Sequence, residues 1–266
     1  MARLGLVGDF HGRVGWLRLA YEAFAREGGV AAVLQVGDTS IDFGRLHADP
    51  FMVGDHAEHL AQQYETPLIY TPGNHEAWPE ILARPIEPEG YRKIRPHVWM
   101  LHGNTMIFRG LRIAALGGAT SSDKHARLRY ESETGEKVWW PDERVDRDLA
   151  ASLIKEAGDL PVDILITHEV PEGLCDDERP ERRLTSESYQ RSALIDRLII
   201  REVFEAMEPR LMVTGHHHVR RTVRPDPSCY HREPRIEMMG KDGDRYGLAA
   251  IWDSETGGIL NVVLED

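Results

Sequence analysis

The chain has 266 residues, 41% of them hydrophobic, enough for a sizeable buried core. Its formal charge of −12 at pH 7 argues against bulk electrostatic capture of nucleic acid, which depends on lysine and arginine neutralising phosphates. No apolar run approaches the ~20 residues of a membrane span, the start "MARLGLVGDF" lacks a signal-peptide pattern, and Cys175 and Cys229 lie far apart outside any CxxC, so the expectation is a cytoplasmic protein without a disulfide framework.

From the N-terminus, "RLGLV" (3–7) reads as a buried strand leading into "GDFHG", and apolar spacings of three and four predict a helix over 14–27. "AAVLQV" (31–36) is a second strand, ended by "GD", with a helix over 53–64 after it. "PLIYT" (67–71) is a third, ended by "GNHE". Residues 98–118 read as an antiparallel meander of three short strands joined by "HGN" and "RG" turns. The stretches 119–141 and 170–188 read as long polar loops around a helix over 142–157 and the strand "DILIT" (163–167), which is followed by His168. A helix over 189–207 precedes the strand "RLMVT" (210–214) and the run "GHHHVRR". The tail 219–264 reads as strands, with "YGLAAIWD" and "GILNVVLE" forming a hairpin around "SETGG". Strands alternating with helices imply an α/β fold with a largely parallel sheet, in a single domain over 1–266 without a linker.

Each of the five buried strands ends in a potential metal ligand: Asp9 and His11, Asp38, Asn74 with His75, His168, and His216 to His218. Open α/β sheets bind ligands beyond the carboxyl ends of their strands, so one topology brings all five groups together. Any one of these elements arises easily by chance. All five at equivalent positions are hard to explain by packing, because buried carboxylates and imidazoles need partners. Carboxylate, imidazole and amide oxygen without thiolate suit Mn, Fe, Zn, Ni or Mg. Four histidines, two aspartates and one asparagine exceed one tetrahedral ion, which points to two divalent ions. A bridging carboxylate holds such ions about 3.5–4 Å apart, with a shared hydroxide placed for in-line attack on a phosphoryl group. If "GHHH" is extended, His216 and His218 face the metals and His217 points away as a replaceable spacer.

The ordered set "GDFHG", "GD", "GNHE", "TH", "GHxH" resembles the calcineurin-like metallophosphoesterase superfamily, and "LGGATSSDKHARLRYESETGEKVWWPDE" (116–143) resembles a segment of its small bacterial and phage members. The resemblance implies a four-layer double β-sheet sandwich flanked by helices. It implies one metal on Asp9, His11 and His218, another on Asn74, His168 and His216, and Asp38 as the bridge. His75 would lie beside the metals, donating a proton to the leaving oxygen or steadying the phosphate. The implied activity is hydrolysis of phosphate mono- or diesters with two divalent ions, manganese first. The partner is then a phosphoester, whether a small molecule, a nucleotide or a nucleic acid, and not a membrane. A nuclease-like phosphodiesterase is the alternative, and a non-catalytic scaffold is disfavoured because no ligand is missing. "GDTSIDFG" departs from the Asp-Arg-Gly of the protein phosphatase branch: Asp42 is one residue late and Phe43 stands in the arginine's place. "GNHE" and "THEVP" are also similar to RNA lariat debranching enzymes, but those carry cysteine where this chain has Asp9.

Around the motifs, Arg127, Arg129 and Lys124 in "KHARLR", together with Arg13, are either substrate-phosphate contacts or ordinary surface charges. Trp139 and Trp140 read first as cover for the core beneath a helix starting near Pro141, and second as a stacking platform for a base. "RPERR" (179–183) reads as a solvated face paired with "CDDE"; "RRTVR" (220–224) is a third basic cluster. His47, His56, His59, His97, His102, His125 and His231 show no ligand spacing and read as structural or exposed.

Overall fold

The computed structural model describes residues 2–41, 52–175 and 186–265; Asp42, Phe43, His47 and "RPERR" lie outside them. In chain order the strands are β1 (Arg3–Val7), β2 (Val33–Gln35), β3 (Leu68–Tyr70), β4 (Arg92–Arg95), β5 (Val98–Met100), β6 (Asn104–Phe108), β7 (Leu111–Leu116), β8 (Ile164–Thr167), β9 (Leu211–Thr214), β10 (Arg221–Val223), β11 (Arg235–Met238), β12 (Ala249–Asp253) and β13 (Ile259–Asn261). The helices are α1 (Val14–Arg26), α2 (Val53–Gln63), α3 (Trp78–Leu82), α4 (Lys124–Thr134), α5 (Arg147–Ala157) and α6 (Glu187–Met207).

Two sheets form, in the orders β13-β12-β1-β2-β3-β5-β4 and β10-β11-β9-β8-β7-β6. Their inner faces meet through alternate residues, Leu4, Leu6, Leu34 and Ile69 of the first against Ile113, Ile164, Ile166, Leu211 and Val213 of the second. The residues between these point outward. Val7, Val33, Leu68 and Tyr70 pack under α1 and α2 through Leu17, Tyr21, Phe24 and Leu60. Leu116, Leu165 and Met212 pack under α5 and α6 through Leu153, Val203 and Phe204. Covered on both faces, the central strands are continuous apolar runs, and each fully buried Leu or Ile contributes about 1.5–3 kcal/mol. The result is the four-layer α/β sandwich. No helix among the described residues is long and apolar enough to cross a membrane.

Four expectations are corrected. Both sheets are mixed: in the first β12 of the tail runs antiparallel to β1 and β4 to β5, and in the second β10 runs antiparallel to β11 and β6 to β7. The 98–118 stretch is not one meander: β5 pairs with β3 in the first sheet, whereas β6 and β7 form a hairpin in the second. The "HGN" turn therefore crosses between sheets, with buried His102 against Trp78 at the crossing and accepting from Gly117 N at 3.0 Å. The polar loop 119–141 contains α4, in which Arg127 alone is buried; a helix polar nearly all round carries no 3.6-residue apolar signal. The helix expected over 142–157 begins only at Arg147, where Asp146 caps it by accepting from Leu149 N at 2.8 Å.

Candidate metal centre

The loops leaving β1, β2 and β3 of the first sheet and β8 and β9 of the second converge at one edge of the sandwich. Four of the residues there have left-handed backbone: His11 (φ 46°), Asp38 (53°), His216 (64°) and His218 (56°). This conformation costs an L-residue about 1–2 kcal/mol, and hydrogen bonds between the loops hold it. His11 N donates to Asp38 O at 2.9 Å, His216 N to Asp9 Oδ2 at 2.9 Å, and His75 N to Asp38 Oδ1 at 2.8 Å. Two glycines are required by close approach: a Cβ on Gly73 would lie 2.2 Å from Asp38 Oδ1, and one on Gly215 2.2 Å from Asp9 Oδ1.

The side chains form two groups, Asp9, His11, Asp38 and His218, and Asp38, His168 and His216, each with its ligand atoms within 4.8 Å of one another. Asp38 belongs to both. Its Oδ2 is 3.5 Å from His11 Nε2 and its Oδ1 is 3.2 Å from His168 Nε2. Asp9 Oδ2 lies 3.4 Å from His218 Nε2. Asn74 joins the second group, its Oδ1 3.1 Å from His168 Nε2, while its Nδ2 donates to Ser121 Oγ at 3.0 Å and so fixes which way the amide faces. His168 Nδ1 donates to Val36 O at 2.7 Å, which turns Nε2 toward Asp38.

The electrostatics suit a cation. Asp9 Oδ1 is buried with no hydrogen-bond donor among the described residues. Burial works to raise the Asp38 pKa, but the charge of His168 and His75 and the hydrogen bonds of His11 and His168 hold it well below the usual carboxylate range. Burial works to lower the two imidazoles, yet Asp38 and Asp9 outweigh it and lift His11 to about 9 and His168 to about 10. The carboxylates thus draw positive charge into the cluster, and the all-oxygen-and-nitrogen donor set fits divalent ions.

The "GHHH" run is not extended, since left-handed residues at His216 and His218 break the pleat. The His217 side chain is 6% exposed and its Nε2 lies 2.6 Å from Oε1 of the buried Glu169, so it is a structural partner rather than a replaceable spacer. His75 sits edge-on to His11, ring centroids 5.7 Å apart. Burial lowers its pKa, with the Arg127 charge acting in the same sense against the carboxylates of Asp38 and Asp123. Arg127 Nη2 lies 2.8 Å from His75 Nε2; because guanidinium only donates, that nitrogen accepts. Arg127 is buried rather than reaching outward: it also donates to Asn74 O at 2.9 Å and Asp123 Oδ2 at 3.0 Å. Arg129, two residues on and about 200° round the helix, is exposed. Arg13 has 69% of its side chain exposed and is tied at 3.0 Å to Asp242 Oδ2. Lys124 Nζ lies 3.9 Å over the Trp139 ring, covering one face of it, and Trp140 packs on the outer core. Of the other histidines, His97 pairs with Glu58 and His231 with Glu208, and in "RRTVR" Arg220 pairs with buried Glu237.

Three contributors were not found from the sequence. Asp242 accepts from His11 Nδ1 at 2.7 Å, Ser121 orients Asn74, and Glu169 meets His217. Asp242 and Ser121 lie in turn-rich polar segments with no spacing relation to the motifs, and only the position of Glu169 beside His168 could have flagged it.

Fold and cluster together define the class: an α/β sandwich carrying a cluster of candidate metal ligands at the ends of its strands. The chain belongs to the calcineurin-like phosphoesterase family, whose sequence model matches residues 2–220. Among solved structures it is similar to TT1561 of Thermus thermophilus, with a TM-score of 0.61 and 15% identity over 99% of each chain. It is also similar to a dimetal phosphatase from Danio rerio, with a TM-score of 0.52 and 12% identity over 99% of each chain. At such identities the likeness is one of fold. No curated protein matches the sequence significantly.

Proposed function

We propose that the protein is a two-metal hydrolase of phosphate mono- or diesters. The observation that carries this reading is Asp38, whose two oxygens face His11 and His168 in two separate ligand groups, as a bridging carboxylate must. In this reading Asp9, His11 and His218 hold one ion, Asn74, His168 and His216 the other, and Asp38 both. The bound ions would polarise phosphoryl oxygens and make a water nucleophilic near neutral pH. The Danio rerio relative, a dimetal phosphatase, supports the two-ion form. Manganese is the first metal to test, with Fe, Zn, Ni and Mg matching the same donors.

Around the ions the chain's own side chains bind and orient. His75 and Arg127 stand as a bonded pair beside the first group. With Nε2 accepting from Arg127, that nitrogen carries no proton, so His75 gives a proton to a leaving oxygen only after it parts from Arg127 and takes up a proton from water. Until then the pair steadies a phosphoryl oxygen. Arg13 offers its exposed fork from the rim, whereas Arg129 is left to more distant parts of a substrate. Neither Cys175 nor Cys229 is in a disulfide, which accords with a reducing, cytoplasmic setting.

Manganese-loaded protein is expected to cleave p-nitrophenyl phosphate or bis-p-nitrophenyl phosphate, and Asp38→Ala to lose both turnover and at least one ion. Metal-bound protein inert toward both esters and toward nucleotides overturns the reading. Faster cleavage of diesters and oligonucleotides than of monoesters selects the nuclease-like form.

A further inference from the structure

The segment after β11 returns to the metal centre. Asp9 N donates to Gly240 O at 3.2 Å and Asp242 N to Asp9 O at 2.7 Å, so residues 240–242 lie alongside the "GDFHG" turn. The approach is close: a Cβ on Gly8 would lie 1.9 Å from Gly240 O. The loop is tied back on itself, with Gly240 N donating to Gly247 O at 2.8 Å and Asp244 Oδ1 accepting from Gly247 N at 2.9 Å. This anchored loop presents one carboxylate, Asp242, only 8% exposed. Its Oδ1 is 2.7 Å from His11 Nδ1 and its Oδ2 is 3.0 Å from Arg13 Nη1. A carboxylate accepts, so His11 Nδ1 carries a proton, and Nε2, directed toward Asp38, is the nitrogen that would be left to a metal.

We infer that Asp242 is a positioning residue with two tasks: it fixes the tautomer and ring orientation of His11 for the first metal, and it ties Arg13 to the rim of the same site. A single carboxylate thereby assembles a metal ligand and a phosphate-binding arginine that stand two residues apart on one turn. This rests on the two-metal reading proposed above. Asp242 touches neither ion nor substrate in this role, and acts through the two side chains that do.

The test measures Mn²⁺ stoichiometry and affinity by titration calorimetry beside steady-state kinetics. Asp242→Ala should weaken one ion by about 10- to 100-fold and leave the other unchanged. Asp242→Asn keeps an oxygen that accepts from His11 but loses the charge opposite Arg13, so it should hold both ions within a few-fold of wild type while KM rises. Arg13→Ala should raise KM without changing either affinity. In the Zn²⁺-loaded wild type, nitrogen NMR should find His11 protonated at Nδ1 and not at Nε2. Wild-type affinity for both ions in Asp242→Ala, or equal loss of both, overturns the inference. The opposite tautomer overturns it even where the alanine variant does not fold. A wild-type protein that binds no divalent ion overturns the functional reading instead.

Discussion

Glu169 is fully buried next to the candidate ligand His216, and its Oε1 accepts from Val170 N at 2.9 Å as well as facing His217 Nε2 at 2.6 Å. His217 belongs to neither ligand group. Replacing it with alanine strips a buried carboxylate of a partner at 2.6 Å, which costs about 1–3 kcal/mol. For a chain of this size each kcal/mol lowers Tm by roughly 2–4 °C. His217→Ala is therefore expected to keep both ions but melt several degrees lower, and His217→Gln, which retains a donor, to recover part of the loss. Thermal unfolding beside a metal count checks this; unchanged melting with loss of an ion would contradict it. The histidine triplet was legible as a source of candidate ligands because it ends a buried strand. The role of the middle residue was not, because it depends on left-handed backbone at its neighbours and on a glutamate 48 residues away in the chain.

At the scale of elements, the segment carrying α4 latches onto the "GNHE" loop. Ser121 holds the Asn74 amide, Arg127 spans Asn74 O and His75 Nε2, and Glu143 closes the latch by accepting from Ser121 N at 3.1 Å beside Arg127 Nη1 at 3.4 Å. Burial pushes the Glu143 pKa up to about 7, against the pull of Arg127. The folded state therefore binds this proton more tightly than the unfolded chain. Its contribution to stability is complete below the ordinary glutamate pKa and is lost as pH rises from about 4.5 to about 7, a change on the order of 3 kcal/mol. Glu143→Gln cannot lose a proton, so subtracting its stability–pH curve from that of the wild type should leave a difference that grows across this window and flattens above it. Parallel curves from chemical denaturation at successive pH values would refute this. The latch explains where sequence reading stopped. The candidate metal ligands announce themselves because they end apolar strands, a pattern visible at short range. Helix α4 has no apolar face to reveal it, and Asp242 reaches His11 only through the return of the chain after β11. Likewise the alternation along 98–118 identifies three strands without saying that β5 and β6 belong to different sheets.

For the whole molecule, the ligand groups straddle the two halves of the sandwich. Asp9, His11, Asp38 and Asn74 follow strands of the first sheet, and His168, His216 and His218 follow strands of the second. Each group takes ligands from both. Ions held there would act as cross-links between sheets whose shared core is apolar. An ion that binds only the folded chain stabilises it by about 2.7 kcal/mol at one hundred times its Kd. Chelation should accordingly lower Tm, and Asp38→Ala, with a ligand removed from both groups, should lose most of the metal-dependent increment. The cross-link also predicts where the change is felt. Amides that join the loops, His11 N on Asp38 O and Gly215 N on His168 O, together with His216 N on Asp9 Oδ2, should lose hydrogen-exchange protection together on chelation. The amides of α5 and α6, on the far side of the second sheet, should keep theirs. Protection lost in the loops of one sheet alone would mean that the ions brace that sheet rather than join the two, and the stability increment would then have to come from within a single half.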